Sequence, residues 1–430
     1  MVNLPDMRVG QIAIDVTPLR EGRDFRLLFT GRFISMAGNA VATTAANWQV
    51  YGLTRSSLAV GLLTLAAGAG MLIGLLTGGM LADHHDRRKL LMVVQLPQAV
   101  LAVLLMINSL LPHPALWPLF AVTFCIGLCS GLSSPASTAA TPALVGQDKV
   151  PAAAALNATA SQLGQLGGPA IAGLLIAGPG VASCYAIDAV CFAVFGLAMI
   201  GLRPMPPIVT AQRPGLRSLA EGFRYVRHNG VVGAMLLVDT NAMIFGMPQA
   251  LFPALATTHF HGGSTTFGLL TAAPGLGAMI GAATSGWTGR VRRPGVVVIG
   301  AGMVWGAAIA LFGLVHSLPL ALFFLALAGM GDLISEVLRN ALLQRYTPDP
   351  LRGRVSSLYL AQVTTSPAVG NVEAGAVARL VSPTFSVVSG GLACVAGALI
   401  LGAAIPALRH ATLSADGRDR SAAEPQESAA

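Results

Sequence analysis

Twelve long apolar segments recur along this 430-residue chain, and they constrain its fold more than any other feature. Each is long enough to cross the hydrocarbon core of a bilayer, about 30 Å thick, as a helix. The runs are continuous rather than alternating, which argues against the strands of a membrane β-barrel. We place the segments at 25–51, 57–80, 90–111, 116–139, 152–178, 181–202, 231–256, 265–287, 294–315, 317–338, 355–380 and 385–408.

The composition indicates that lipid, rather than water, surrounds most of the chain. Only 10% of the residues are charged and 54% are hydrophobic, whereas a soluble domain carries about 25% charged residues. Apolar side chains can face lipid if the backbone groups are paired within helices, and the 50 glycines suit helices that pack closely in a membrane. We therefore predict an all-α integral membrane protein with the lipid bilayer as its partner.

The basic residues predict an orientation. The net charge of +8 is spread over short loops, which does not suggest a nucleic-acid partner. If the N-terminus is cytoplasmic, all but three of the 26 Lys and Arg residues lie on the cytoplasmic side, as the positive-inside rule requires. Arg55 and Arg379 face outward, and Arg32 lies within the first segment. The prediction is a multi-pass protein of the inner membrane with both termini in the cytoplasm.

Two related halves divide the chain. Residues 61–79 and 268–286 agree at eleven of nineteen positions without a gap and cross the membrane in the same direction. This is a parallel repeat, typical of transporters built from two rocking halves. Helical spacing of apolar residues from Leu216 to Val226 predicts a short amphipathic helix in the polar interval between the halves. The predicted units are a cytoplasmic segment at 1–24, six-helix halves at 25–202 and 231–408, a linker at 203–230 and a disordered tail at 409–430.

A charged loop follows the second segment and reads GMLADHHDRRK at 79–89. It resembles the signature loop of the major facilitator superfamily, although His84 stands where that loop has Arg and Asp86 where it has Gly. The resemblance implies a cytoplasmic gate in which Gly79 permits close helix approach, Asp83 caps a helix or pairs with a cation in the other half, and basic side chains hold acids there. The alternative is that these charges set orientation only. The basic gate residues are Arg87 and Arg88.

The fifth segment reads GQLGGPAIAG at 164–173 and is similar to the antiporter motif of drug/proton exporters in that superfamily. The resemblance implies export, with tight packing of this helix against the other half through Gly164, Gly168, Pro169 and Gly173. Ordinary tight packing of membrane helices is the alternative.

A closer resemblance covers most of the chain. YAIDA at 185–189, EGFRYVR at 221–227 and TPDPLRGRV at 347–355 are similar to the enterobactin exporter branch, which also includes macrolide efflux proteins. This implies proton-driven export, by alternating access, of a catecholate siderophore or, alternatively, of a drug such as a macrolide. The proton is the coupling ion, and no other cofactor is expected. We predict a monomer that binds a small-molecule substrate; no outer-membrane partner is identified.

Acidic residues inside apolar segments require a reason, because an Asp near a helix centre costs about 2.5–3.5 kcal/mol. We rank Asp239 and Glu373 first as proton carriers and Asp188 after them. For any one of them, a structural hydrogen bond to a neighbouring helix is an equal alternative. Arg32 either snorkels towards the interface or pairs with an acid.

Asp332, Glu336 and Arg339 share one helix face at i, i+4 and i+7. We expect Glu336 to pair with Arg339, and we favour a cytoplasmic gate for the three residues over a role in proton transfer. Other polar side chains in the segments line a substrate cavity or, equally, form interhelical hydrogen bonds. For the one tryptophan among them, Trp48, an anchor at the membrane interface is favoured. These cavity candidates are Trp48, Gln49, Asn241, Gln249 and Gln362.

Other classes of function lack their motifs. A transport ATPase requires G-x-x-x-x-G-K-[ST], and the two lysines, Lys89 and Lys149, precede Leu and Val. No H-E-x-x-H or G-x-S-x-G occurs, so we predict that the chain is not an enzyme. The five cysteines lie in apolar segments and are expected to be buried rather than to bind metal. A membrane sensor or scaffold is the remote alternative.

Overall fold

The computed structural model describes residues 15–205 and 216–412. Part of the predicted N-terminal segment, residues 206–215 of the linker and residues 413–430 of the tail lie outside the described residues. Twelve helices, labelled α1 to α12 in chain order, form the bundle. They are Arg23–Thr54, Ser57–His84, Arg87–Leu110, Trp117–Val145, Val150–Ala177, Val181–Ala198, Gly230–Thr258, Ser264–Thr284, Pro294–Leu314, Leu318–Tyr346, Asp349–Leu380 and Pro383–Ala404.

Among the described residues, nine helices are long and apolar enough to cross a membrane by length and composition alone. The other three long helices are α1, α5 and α11. Two of them lie where the halves meet: α5 packs on α8 and α11 packs on α2, whereas α1 packs mainly on α5 and α6 of its own half. A helix that faces protein rather than lipid does not need an apolar surface all round. Together the twelve helices form an all-α bundle, as the apolar segments predict.

Helix α7 is interrupted, although its sequence predicts a continuous segment at 231–256. The first part ends at Phe245 and the second part begins at Phe252, because Gly246 and Pro248 do not support a continuous helix. Neighbouring helices satisfy the freed backbone groups. Trp305 Nε1 donates to the Gly246 carbonyl at 2.9 Å, and Asn371 Oδ1 accepts from the Ala250 amide at 2.7 Å.

The halves are packed together towards one end of the bundle. We call the end where α2 meets α3 the basic end, and the other the opposite end. A Cβ atom on Gly61 or Gly375 would collide with the backbone of the facing helix in the α2–α11 pair. In the α5–α8 pair, the same is true of Gly173 and Gly268, and Ser264 Oγ donates to the Gly173 carbonyl at 3.1 Å. These close approaches lie between the opposite end and the middle of the helices.

The linker helix, Leu216–His228, packs on the second half at the basic end. Val226 is buried there, whereas Phe223 is 59% exposed. Glu221 forms an ion pair with Arg354 of α11 at 2.5 Å. The side chains of Leu216 and Leu219, which the spacing places on the apolar face, lie outside the described part of the chain.

Candidate transport site

A buried ion-pair cluster joins three helices of the second half, with Arg339 of α10 at its centre. Arg339 is 4% exposed, and its Nη2 lies 2.9 Å from Asp239 Oδ1 of α7. The same nitrogen lies 3.5 Å from Asp332 Oδ1, two helical turns away on α10. Arg339 Nη1 also donates to Ser335 Oγ at 2.8 Å. One guanidinium therefore serves two carboxylates, of which Asp239 is fully buried and Asp332 is 31% exposed.

Helix α11 contributes polar partners to this cluster. Gln362 Nε2 donates to Asp239 Oδ2 at 2.9 Å and to the Leu236 carbonyl at 3.1 Å. Tyr359, one turn before Gln362, hydrogen-bonds to Arg339. A buried charge is tolerated when its partners compensate for lost hydration. The polar groups from α7, α10 and α11 therefore stabilise one another inside the bundle.

Two predictions about this region need correction. Arg339 turns towards Asp239 and Asp332, and no ion pair joins it to Glu336 within the described ranges. Glu336 is exposed instead, because it projects from the neighbouring face of α10. The second correction concerns grouping. Asp239, predicted as a proton carrier, lies in the same cluster as Asp332 and Arg339, which were predicted to form a separate gate. The i, i+7 spacing brings Asp332 and Arg339 onto one face, and only the packing of α7 against α10 adds Asp239.

A cavity adjoins the cluster. It has a volume of about 90 Å³ and lies between α7, α8, α9 and α10, with α5 of the other half closing one side. Asp332 and Gln249 line it, together with Gln165 and the aromatic rings of Phe252 and Trp305. Asp332 thus faces both Arg339 and the cavity. Of the predicted cavity residues, Gln249 is the one that lines this space.

The other predicted cavity residues form contacts between helices. Gln49 accepts a hydrogen bond from Tyr185 Oη at 2.8 Å, and Asn241 Nδ2 donates to the Cys394 carbonyl at 2.9 Å. Trp48 stacks on Phe267 of α8, with ring centroids 5.4 Å apart. Trp48 is therefore part of the contact between the halves rather than an anchor at the membrane surface. Sequence spacing could not reveal these partners, because each lies on a distant helix.

The three acids that were ranked as proton carriers are separated. Glu373 lies on α11 beyond Asn371, towards the opposite end, and is half-buried. Asp188 lies in α6 of the first half and is completely buried. Neither Asp188 oxygen has a hydrogen-bond partner among the described residues. Arg32 of α1 is half-buried and has no ion-pair partner in the described ranges, so the structure joins neither Asp188 nor Arg32 to the Asp239 cluster.

The described side chains of the charged loop between α2 and α3 contact their own half. Arg87 is buried, and its Nη1 donates to the Ala139 carbonyl at 3.3 Å. Arg88 Nε donates to the Met199 carbonyl at 3.0 Å, where α6 ends. The two arginines thus bind carbonyl groups, and the expectation that they hold acids of the other half is wrong for this conformation. The side chain of Asp83 lies outside the described part of the chain, and Gly79 is half-buried.

Asp86 has a role that the sequence reading missed. Its Oδ1 accepts from the Arg88 amide at 2.9 Å as the N-cap of α3, and also from the Met205 amide at 3.2 Å. An Asp directly before a helix is the usual signal for a cap. We treated Asp86 only as a departure from a glycine in the motif, although its position before Arg87 carried that signal.

The glycine-rich motif of α5 contacts both halves. Gly173 packs on Gly268 of α8, the Pro169 carbonyl also meets Gly268, and Gly168 packs on Ala40 of α1. Gly164 has no neighbouring atom within 4 Å of an added Cβ. The motif therefore contacts α8 along most of its length, from Leu166, whose backbone meets Gly275, to Gly173.

Comparison with known proteins agrees with this architecture. Proteins described as the enterobactin exporter EntS, from Escherichia coli (strain K12) and Shigella dysenteriae serotype 1 (strain Sd197), are 32% identical over 397 residues, which is 92% of this chain and 95% of theirs. A POT family transporter in complex with a thioalcohol conjugated peptide superposes with a TM-score of 0.72 at 15% identity, covering 90% of this chain and 96% of that one. A D-xylose-proton symporter superposes with a TM-score of 0.68 at 14% identity, covering 90% and 99%. At such low identity, these structures establish the fold alone.

The family follows from the sequence match. The family described as transmembrane secretion effector matches residues 13–426, nearly the whole 430-residue chain. The relatives are transporters and not enzymes, which agrees with the absence of the ATPase and hydrolase motifs. With its twelve helices in two halves, the chain belongs to the transmembrane secretion effector family of the major facilitator superfamily.

Proposed function

We propose that this protein exports a catecholate siderophore of the enterobactin type across the inner membrane, in exchange for protons that enter the cell. The relatives that are 32% identical over most of the chain are described as enterobactin exporters. The basic end, which carries the charged α2–α3 loop, is then the cytoplasmic end, and both termini are cytoplasmic. The halves are packed together at the opposite end, which corresponds to a conformation closed towards the outside.

The shared guanidinium of Arg339 is the observation on which this proposal depends. It contacts Asp239, which is fully buried, and Asp332, which lines the cavity. A carboxyl in surroundings of low polarity binds a proton more readily once its cationic partner moves away. Arg339 can pair with either carboxylate. Proton binding at Asp239 and substrate binding in the cavity are therefore linked through one side chain.

This link couples proton entry to substrate release. When Asp239 is ionised, it holds Arg339, and Asp332 can accept hydrogen bonds from a substrate in the cavity. When Asp239 takes up a proton from outside, its attraction for Arg339 falls and the guanidinium moves towards Asp332. The substrate then loses its acceptor and leaves. Proton and substrate thus compete through Arg339, which is the requirement for antiport.

The direct test is transport in inverted membrane vesicles that carry the protein. We expect a proton gradient, acidic inside, to drive enterobactin into the vesicles and an uncoupler to abolish uptake. Asp239→Asn should abolish gradient-driven uptake, because the amide mimics a permanently protonated carboxyl. Asp148→Asn is the matched control, since Asp148 is exposed at the basic end and outside the cluster.

Each outcome separates the alternatives. Uptake that survives the uncoupler would contradict proton coupling. Unchanged uptake by Asp239→Asn would remove Asp239 from the mechanism, after which Glu373→Gln and Asp188→Asn should be tested in the same way. Proton-driven uptake of a macrolide in place of enterobactin would support the drug-efflux alternative. If neither compound is transported, a sensor or scaffold function becomes the better explanation.

A further inference from the structure

The cavity beside Asp332 combines aromatic walls with unused hydrogen-bonding groups. Phe252 and Trp305 line it, and the Trp305 N–H already donates to the Gly246 carbonyl. Trp305 therefore offers the cavity only apolar ring surface. An aromatic wall of this kind favours a flat aromatic ring as the ligand.

The polar side of the cavity combines one group that only accepts, the Asp332 carboxylate, with the amides of Gln165 and Gln249, which both donate and accept. Asp332 has one long contact, 3.5 Å to Arg339, and an ionised carboxylate can accept about four hydrogen bonds. The Gln249 side chain makes no hydrogen bond among the described residues and lines the same space. Gln165 of the other half also lines it, and Gln165 Nε2 donates a long hydrogen bond to Ser161 Oγ at 3.5 Å. A ligand that brings hydroxyl donors to Asp332 would satisfy this side of the cavity.

The volume limits how much of a ligand can enter. The cavity measures about 90 Å³ and is open on one side, whereas an enclosed cavity of about 150 Å³ holds one benzene molecule. Because 90 Å³ is less than one benzene ring occupies, only the leading edge of a single ring enters, and the rest of the ring lies at the opening. A molecule with several rings can place only one of them here at a time.

We infer that this cavity is a subsite for one aromatic ring that carries hydroxyl donors, a phenol or a catechol, and that Asp332 accepts those donors. The assignment of such a ring to the physiological substrate rests on the proposed export function. For a siderophore with several catechol groups, the subsite holds one arm while the remainder lies in the space between the halves. Gln165 of α5 and Gln249 of α7 contact the ring from opposite halves. A bound ring therefore touches both halves at once.

The test measures binding of catechol itself to the purified protein in lipid nanodiscs, by saturation-transfer NMR without a proton gradient. We expect wild-type protein to bind catechol and not 1,2-dimethoxybenzene, which has the same ring without donors. Asp332→Asn should weaken catechol binding by between about tenfold and a hundredfold, the range for hydrogen bonds to a charged group. Equal binding of both compounds would overturn the role of Asp332.

A pair of matched variants tests the location. Ala278 lines the cavity, and Ala278→Leu should fill it and abolish catechol binding. Ala396→Leu is the control, because Ala396 is exposed on α12 between the exposed residues Leu392 and Ile400. If Ala278→Leu does not fold, Ala278→Val places a smaller obstruction at the same point. Unchanged binding in a folded Ala278 variant would overturn the subsite.

The subsite and the proposed function fail in different ways. Catechol binding that is absent from wild-type protein, with proton-driven enterobactin uptake intact, would overturn the subsite alone. Catechol binding that behaves as expected, with no gradient-driven uptake of enterobactin, would overturn the proposed function alone.

Discussion

Arg339 illustrates how a membrane protein keeps ionised groups in its interior. Its two carboxylate partners differ in burial: Asp239 is inaccessible and Asp332 borders a cavity. Ser335 and Gln362 provide hydrogen bonds to the same cluster. Because a buried ion pair loses hydration, its stability depends on all of these partners being present. Removing one member should therefore be more harmful than removing the pair.

We predict that Arg339→Gln destabilises the protein by about 3–5 kcal/mol, because Asp239 is then left as an unpaired buried charge. The double variant Asp239→Asn/Arg339→Gln should recover much of that loss, since neither charge remains. Thermal unfolding in nanodiscs measures both effects. Losses that simply add in the double variant would show that the two side chains do not stabilise each other.

Asp188 allows a test of whether a buried acid is kept for function. Both of its oxygens lack hydrogen-bond partners among the described residues, and an unsatisfied buried polar group costs about 1–3 kcal/mol. We predict that Asp188→Val raises the free energy of unfolding by a similar amount. Thermal unfolding and vesicle uptake should be measured together. Greater stability with lost transport would identify a functional acid, whereas lower stability would show a structural partner.

Glycine determines how closely neighbouring helices approach. Gly70, Gly74 and Gly78 of α2 pack against the backbone of α4 within the first half, and Gly173 packs against Gly268 between the halves. At such distances a methyl group has no space, so either the backbone moves or the contact opens. The contacts between halves are those that must separate in an alternating-access cycle.

We predict opposite effects of alanine at two glycines of α5. A Cβ on Gly173 would lie 2.8 Å from the Ser264 carbonyl oxygen, whereas a Cβ on Gly167 meets nothing within 4 Å. Gly173→Ala should therefore lower the melting temperature and impair transport. Gly167→Ala should be neutral or stabilising by up to about 1 kcal/mol, the difference in helix propensity. Thermal unfolding compares them, and equal effects would contradict the α5–α8 contact.

The two halves together define an axis from the basic end to the opposite end. Each half has six helices, so the chain crosses the membrane an even number of times before and after the linker. The linker helix stays at the basic end through the Glu221–Arg354 ion pair. By the positive-inside rule, the proposed orientation places that end in the cytoplasm.

We predict that reporters fused ahead of residue 25 and behind residue 408 lie on the same, cytoplasmic side. Green fluorescent protein should fluoresce at both positions, and alkaline phosphatase should be inactive at both. A fusion behind residue 55, in the loop between α1 and α2, is the control and should show the reverse pattern. Reporters on opposite sides at the two ends would refute an even number of spans.

The order of the helices and the division into halves could be predicted because both depend on local properties. Apolar length determines which segments enter lipid, and the repeat at 61–79 and 268–286 relates α2 to α8. The break in α7 was not predicted, because it depends on distant helices. Gly246 and Pro248 permit a break, but Trp305 and Asn371, on distant helices, are what satisfy the freed backbone groups.

The same distinction between local properties and helix packing applies to the transport site. Asp332 and Arg339 could be grouped from their spacing on one helix, and Asp239 was recognised as an acid out of place in lipid. The contact of Asp239 with Arg339 depends on the packing of segments about a hundred residues apart in the chain. The isolation of Asp188 and the cavity beside Trp305 depend on such packing as well. Hydropathy and helical periodicity are properties of neighbours along the chain, so they specify helices; which side chains share a proton or a ligand depends on how those helices pack.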